Sequence, residues 1–249
     1  MIVRNDEELE GLKKIGKIVA LAREEMKSKA VPGMTTLELD LIGKKVLEEH
    51  GAVSAPIKEY DFPGNTCISL NQEVAHGIPS SKTILKTGDL INIDISAALD
   101  GYYADTGISF VLGEENEQLQ KLCLAAKAVF DKGLLQARAG KRLNQIGRAV
   151  FNEARSQGFT VIKNLTGHGI GTSLHEPPNH IMNYYDPFDN ELLKDGMVIA
   201  FEPFVSTGAE HIVEGGDGWT FKTPDGSLVA QIEHTIVITK NEPIILTEL

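Results

Sequence analysis

The chain has 249 residues, of which 42% are hydrophobic and 24% are charged, and its formal net charge at pH 7 is −11. This length allows one large domain or two small ones with a buried core. An acidic chain without clustered lysine and arginine lacks the electrostatic footprint of a nucleic-acid-binding protein. No apolar stretch of the sequence approaches the roughly 18 residues that a membrane-spanning helix needs.

The cysteines and the first residues indicate the cellular compartment. Cys67 and Cys123 lie in segments of different type, and the sequence has no CxxC pair. We therefore expect no disulfide framework, and we expect the protein to reside in a reducing compartment. Residues 1–10 are polar and acidic, unlike a signal peptide. We expect a cytoplasmic protein in which Cys123 is a buried structural thiol.

Apolar residues at spacings of three and four predict a helix over residues 6–26. A second helix is predicted after Gly33, because Thr35 and Glu38 have the spacing of a capping box. Two later helices, each closed by a glycine, are predicted over residues 115–137 and 143–157.

Strands are predicted between these helices. Residues 90–99 alternate between apolar and polar, and Asp100 and Gly101 then form a strong two-residue hairpin turn before a return strand over 102–112. Further strands are predicted over residues 67–70, 197–205 and, after a turn at Asp225 and Gly226, 228–239.

Two segments of the sequence resemble each other. Residues 85–94 (LKTGDLINID) and 193–202 (LKDGMVIAFE) each run from a turn glycine through an apolar strand to a carboxylate. A histidine followed closely by proline precedes each segment, at His76 and His175. Chance similarity and internal duplication both explain the pattern. Duplication implies two similar half-domains that meet at a shared site.

The hairpin carries the first pair of acids. If Asp100 and Gly101 form a two-residue turn, Ser96 pairs with Asp105, so that Asp94 and Asp105 are diagonal neighbours on one face, roughly 7 Å apart at the backbone. Two unpaired carboxylates at that distance repel each other, and a divalent cation removes the repulsion. The alternative is a pair of surface aspartates on an exposed sheet face.

Two more acids interrupt apolar strands. Glu202 and Glu233 lie in β-prone apolar segments, where an isolated charge is costly. Pro203 leaves open that Glu202 lies on an edge strand and points to water. His168 lies between two glycines, which allow the backbone to approach a ligand closely. An incidental histidine in a flexible loop is the alternative.

Four carboxylates gathered in a core require cations. A site of carboxylates with one imidazole suits Mn²⁺, Fe²⁺ or Co²⁺ at least as well as Zn²⁺. Two such ions generate a hydroxide near neutral pH and polarise a carbonyl, which is the chemistry of amide hydrolysis.

Taken together, eight strings resemble type I methionine aminopeptidase, and in this order and spacing they are highly specific. They run along most of the chain: residues 67–71 (CISLN), 76–79 (HGIP), 88–94 (GDLINID), 101–106 (GYYADT), 167–171 (GHGIG), 175–177 (HEP), 202–203 (EP) and 232–235 (IEHT). The interval between His168 and Glu202 is too short for the inserted helical subdomain of the type II enzymes.

The resemblance implies a pita-bread fold of the α/β (α+β) class, with a central antiparallel sheet of pseudo-twofold halves flanked by helices. It implies one catalytic domain over residues 1–249. It also implies two divalent metal ions, Co, Mn, Fe or Zn. By this resemblance the metal ligands are Asp94 on one ion, Asp105 and Glu233 bridging both, and His168 and Glu202 on the other.

The resemblance also implies the catalytic and substrate-binding residues. Glu202 takes the proton from the attacking water, His175 stabilises the tetrahedral intermediate, and His76 contacts the scissile amide and assists the leaving nitrogen. The walls of the methionine pocket are Phe62, Cys67 and Trp219. The chain departs from the family at three positions: Thr166 and Ala75, where cysteine is frequent, and Leu174, where an aromatic residue is frequent.

The activity implied is removal of the initiator methionine from nascent proteins when the second residue is small. The expected substrates are peptides with N-terminal methionine. A ribosome contact and a monomeric state are also expected, without nucleic-acid or membrane binding. Two alternatives are an X-Pro aminopeptidase or prolidase of the same fold and a non-catalytic pita-bread protein that binds a partner.

Overall fold

The computed structural model of the chain describes residues 1–113 and 116–249. The helices in this part of the chain are α1 Asp6–Lys29, α2 Thr36–Glu49, α3 Ala55–Tyr60, α4 Glu117–Leu134 and α5 Asn144–Ser156. The strands are β1 Val53–Ser54, β2 Cys67–Leu70, β3 Glu73–Ala75, β4 Leu90–Leu99, β5 Tyr102–Val111, β6 Thr160–Val161, β7 Gly167–Gly169, β8 Glu176–Ile181, β9 Val198–Phe201, β10 Phe204–Ser206, β11 Val213–Glu214, β12 Phe221–Lys222, β13 Val229–Val237 and β14 Ile244–Ile245.

The predicted helices are confirmed with shifted ends. The capping box of α2 is present: the Glu38 amide donates to the Thr35 hydroxyl at 3.1 Å, and the Thr35 amide donates to the Glu38 carboxylate at 2.8 Å. The predicted start of the third helix at Glu115 lies outside the described residues. Its predicted end at residue 137 is wrong because the chain leaves α4 after Leu134 in tight turns.

The hairpin between β4 and β5 has the predicted register, with Ser96 opposite Asp105 and Leu99 opposite Tyr102. The single strand predicted over residues 197–205 is wrong. It is divided into β9 and β10 at Glu202 and Pro203, since proline has no amide hydrogen to continue a ladder.

The large sheet has the order β1-β4-β5-β13-β9-β7-β8. Strands β5 and β13 form its centre, with β4 beside β5 and β9 beside β13. The two similar segments, residues 85–94 and 193–202, thus lead into β4 and β9. These strands hold equivalent positions on either side of the central pair. The predicted antiparallel sheet with pseudo-twofold halves is confirmed.

Helices cover the apolar face of this sheet. Ile91, Ile93 and Ile95 of β4 are fully buried in one core cluster with residues of α1 and α2. On the other half, Phe130 of α4 stacks on Phe201 of β9, with ring centroids 5.0 Å apart. Because side chains alternate along a strand, the residues between these apolar positions point to the opposite face.

Both cysteines are free. Cys123 is half-buried in α4 against the core, and burial raises the pKa of its thiol to about 11. The thiol therefore stays protonated at neutral pH. Within the described residues, no helix combines the length and the apolar character needed to cross a bilayer.

Replacing Phe130 by alanine should lower the free energy of unfolding by about 3–5 kcal/mol, because it removes a fully buried ring and leaves a cavity against Phe201. Urea unfolding followed by circular dichroism measures the change. Leu124→Ala is the matched control, since Leu124 lies on the same helix but is 69% exposed, and it should change stability by less than about 0.5 kcal/mol. Equal losses in the two variants would contradict this packing.

Candidate metal centre

Two neighbouring rows of residues cross the sheet on the face opposite the helices. In the first row, Asp94 of β4 pairs with Gly107 of β5, and Gly107 pairs with Glu233 of β13. Glu202 follows the end of β9, which pairs with β13 on the side opposite β5. Three acids from both halves of the chain therefore lie along one line, and the residue between the first two has no side chain.

The second row supplies an acid and an imidazole. Asp105 lies two residues before Gly107 on the same face, and its backbone amide donates to the Thr235 hydroxyl at 2.8 Å. Ala200 of β9 pairs with both Thr235 and His168. Asp105 and His168 are thus brought to the same row from opposite sides of the central strands.

The side chains converge above these rows. One ligand-type atom from each of Asp105, His168 and Glu233 lies within 4.8 Å of the others. Nε2 of His168 is 3.5 Å from a carboxylate oxygen of Glu202. Asp94 completes the group as the diagonal neighbour of Asp105, as the hairpin register predicts.

These acids are not surface residues. Asp105 is 6%, Glu202 9% and Glu233 1% exposed, and Asp94 is half-buried with one oxygen shielded from solvent. The alternative of exposed aspartates on the hairpin is therefore wrong, and so is that of an edge glutamate pointing to water.

Burial and mutual repulsion disfavour ionisation of the cluster. Burial raises the pKa of Asp94 and Glu202 well above the ordinary value, and the charge of Asp105 raises both further. The pKa of Glu233 is raised by burial first and then by Asp105. Burial also raises the pKa of Asp105, although a hydrogen bond with Asp94 opposes this.

The donor set fits divalent cations. Oδ1 of Asp94 and Oδ1 of Asp105 are buried and have no hydrogen-bond partner among the described residues. An acceptor without a donor in a buried site costs free energy, and a bound cation would remove that cost. Four carboxylates with one imidazole form the oxygen-rich set that first-row divalent ions accept.

Glycines determine the position of His168. A methyl group at Gly167 would lie 2.5 Å from the carbonyl oxygen of Ala200, and one at Gly169 would lie 2.4 Å from that of Pro177. Only glycine allows β7 to fit between its two neighbouring strands. Nδ1 of His168 lies 3.0 Å from the Gly169 carbonyl oxygen. Burial lowers the pKa of this imidazole to about 3, so it is neutral and able to bind a metal at pH 7.

Two further histidines line the same cavity. The ring of His175 lies 4.0 Å from that of His168, and its Nδ1 lies 2.7 Å from the hydroxyl of Tyr60. His76 has φ of 56°, a left-handed conformation that is uncommon outside glycine and often found at functional sites. Burial lowers the pKa of His76 to about 4.

The three residues predicted as pocket walls line this cavity as well. Phe62 and Trp219 meet edge to face, with ring centroids 5.1 Å apart. Burial raises the pKa of the Cys67 thiol well above its ordinary value, so this wall is uncharged. Thr166, Ala75 and Leu174, the positions that depart from the family pattern, also line the cavity.

Two polar residues at the site carry no assignment from sequence. Gln231 donates to both Glu202 and Glu233, and the strand period could have identified it, because it lies two residues before Glu233. Tyr60 belongs to α3, a helix of six residues that the periodicity does not predict. Its contact with His175 joins residues 115 apart in the chain.

Comparison with known proteins identifies the family to which this architecture belongs. The model of metallopeptidase family M24 matches residues 10–240. Methionine aminopeptidase 2 of Bacillus subtilis (strain 168) is 78% identical over 249 residues, which cover both chains completely. The crystal structure of methionine aminopeptidase from Thermotoga maritima has a TM-score of 0.94 at 36% identity, over 100% of both chains.

A more distant structure shares the fold alone. The prolidase from Pyrococcus horikoshii OT3 has a TM-score of 0.78 at 24% identity, over 99% of this chain and 63% of that chain. The predicted pita-bread fold is confirmed by these likenesses. The chain belongs to metallopeptidase family M24, and the prediction that it is an enzyme, a metal-dependent peptide hydrolase, is confirmed.

Metal binding should release protons from the carboxyl groups. Their raised pKa values mean that the metal-free protein holds protons at pH values where exposed carboxyls hold none, whereas cations bind the ionised form. His168 contributes no proton, because it is already neutral. Affinity for Mn²⁺ should therefore rise with pH. Calorimetric titration in Pipes and in Tris, which differ in ionisation enthalpy, should give different heats, and identical heats would contradict proton release.

Proposed function

We propose that this protein is a type I methionine aminopeptidase that removes the initiator methionine from nascent proteins when the second residue is small. One observation carries the proposal. Four carboxylates and one imidazole from both halves of the chain converge on a single buried cavity that is also lined by His76 and His175. The likeness to proteins named methionine aminopeptidase along the entire chain supports the same conclusion. The proposed catalytic domain comprises residues 1–249.

The proposed site holds two divalent ions, Co, Mn, Fe or Zn. When bound, they polarise the carbonyl of the first peptide bond and lower the pKa of water. Asp94 would hold one ion, and Asp105 and Glu233 would contact both. The other ion would be held by His168 and Glu202. The buried Oδ1 atoms of Asp94 and Asp105, which have no hydrogen-bond partner among the described residues, support the roles of these two residues as ligands.

Proton transfers fall to residues on the cavity wall. Glu202 is the proposed general base that takes the proton from the attacking water. His175 would donate to the carbonyl oxygen as negative charge develops there. His76 would contact the scissile amide and assist the leaving nitrogen.

The proposed pocket for the methionine side chain comprises Phe62, Cys67 and Trp219. A flexible thioether packs well against aromatic rings and a neutral thiol. The free α-amine of the substrate would bind at the metal centre, which restricts cleavage to the first peptide bond. Nascent chains are the proposed partners, a ribosome contact is part of the proposal, and the protein is proposed to be monomeric and cytoplasmic.

Substrate choice separates the related activities. A methionine aminopeptidase should cleave Met-Gly peptides and leave X-Pro peptides intact, whereas an X-Pro aminopeptidase or prolidase should do the reverse. A non-catalytic binding protein should cleave neither after metal is added. Initial rates with matched Met-Gly and Ala-Pro peptides, measured in added Mn²⁺ or Co²⁺, distinguish the three.

Asp105→Asn should lower both metal content and Met-peptide hydrolysis. The loss in kcat/KM should be about 100-fold or more, because Lewis-acid stabilisation contributes several kcal/mol and each 1.36 kcal/mol corresponds to a factor of about ten. Metal analysis and peptide assay on the same sample measure both quantities.

The control is Asp100→Asn, at an exposed position of the same hairpin. The backbone at Asp100 is left-handed, a conformation that asparagine adopts readily. It should change neither quantity. Full activity of Asp105→Asn with an unchanged metal content would remove the bridging role of Asp105.

A further inference from the structure

Gln231 is a buried amide placed between two of the proposed ligands. It is 2% exposed. Its Nε2 lies 3.2 Å from Oε2 of Glu202 and 3.3 Å from Oε2 of Glu233. One amide group therefore donates to a carboxylate on β13 and to another that follows β9. These are the two glutamates that the second half of the chain contributes to the cavity.

The orientation of this amide is determined by a neighbour from the first half of the chain. Nδ2 of Asn92, a residue 5% exposed, donates to Oε1 of Gln231 at 2.8 Å. A donor at Oε1 leaves the NH₂ group to face the carboxylates. Ser109 supports both residues, since its hydroxyl lies 3.1 Å from Nδ2 of Asn92 and 2.9 Å from the backbone nitrogen of Gln231.

Gly107 provides the space in which the amide lies. A methyl group at this position would be 2.5 Å from Oε1 of Gln231 and 2.9 Å from Oε2 of Glu233. Both atoms belong to this network, so a methyl group at Gly107 would displace the amide and the carboxylate from their positions. The amide of Gln231 and the carboxylate of Glu233 therefore occupy the space that a side chain at Gly107 would fill.

We propose that Gln231, oriented by Asn92, is a positioning residue that holds Glu202 and Glu233 ready for metal. The inference rests on the metal centre proposed above. Each glutamate is anchored through Oε2, and in Glu202 the other oxygen, Oε1, lies on the side of His168. Hydrogen bonds from neighbouring residues commonly orient metal ligands in this way, and their loss costs about 10- to 100-fold in affinity or activity.

The test replaces donors with apolar groups of similar size. Gln231→Met removes the amide, and Asn92→Leu removes the group that orients it. Each should weaken Mn²⁺ binding, measured by calorimetric titration of the metal-stripped protein, with a loss of about 10- to 100-fold for Gln231→Met and a smaller loss for Asn92→Leu.

The control is Asn144→Leu. Asn144 is also a buried amide, 2% exposed, and its Nδ2 donates to the Asp186 carbonyl at 2.9 Å, but among the described residues it makes no hydrogen bond to the carboxylates of the cavity. It should lose stability without losing metal affinity.

The double variant separates positioning from a general loss of structure. If Asn92 acts on the metal through Gln231, adding Asn92→Leu to Gln231→Met should cause no further loss of Mn²⁺ affinity. Independent structural damage would instead give additive losses. Asn92→Leu also keeps the inference testable should Gln231→Met fail to fold, because it leaves the amide and both glutamates in place.

Two results would overturn the inference. Mn²⁺ affinity within about twofold of wild type in folded Gln231→Met, or in Asn92→Leu should Gln231→Met not fold, would show that the glutamates need no anchor, and additive losses in the double variant would show that Asn92 does not act through the amide. If the wild-type protein shows no saturable Mn²⁺ binding, the proposed metal centre itself fails, and the inference falls with it.

Discussion

Burial of four carboxylates in one cavity is the constraint on which the rest of the structure depends. Removing a carboxylate from water costs several kcal/mol, and like charges in a low-dielectric interior repel strongly. Burial and the neighbouring acids raise the pKa of Glu233, whereas the charge of Arg23 lowers it. Arg23 donates to Thr106 in the central strand β5. A cluster of this kind is costly unless cations bind to it.

The sheet satisfies two opposing demands through the alternation of its strands. Ile93 and Ile95 pack against helices, while Asp94, between them, belongs to the cavity. In β13, likewise, Glu233 lines the cavity and Gln231 lies on the same side of the strand, while Ile232 and Ile236 belong to the core. The apolar face supplies the stability that supports the charged one. A register shift of one residue would bury the acids among the helices and expose the core.

Local sequence rules accounted for the parts of the fold that local contacts determine. The hairpin register follows from its two-residue turn, and the capping box follows from a spacing of three residues. The break between β9 and β10 was missed although Pro203 was visible, because the apolar pattern continues across it. The helix that carries Tyr60 is shorter than two turns, so periodicity gives it no signal.

The sequence predicted those residues of the candidate site whose type is unusual for their position. It did not predict residues whose role depends on a contact with a distant residue. Carboxylates in apolar strands are unusual enough to be noticed individually. The contact of Asn92 with Gln231 joins residues 139 apart, and neither residue type is unusual in a strand. These two amides come into contact only because β4, β5 and β13 lie side by side in the sheet.

The interleaving of both halves at the cavity has a consequence for biosynthesis. Asp94 and Asp105 leave the ribosome long before Glu233, the last acid of the cluster to be made. Until β13 inserts between β5 and β9, each half exposes only part of the acid set and the edge of an incomplete sheet. The cavity therefore forms late in synthesis, and a partly made chain lacks the complete set of acids.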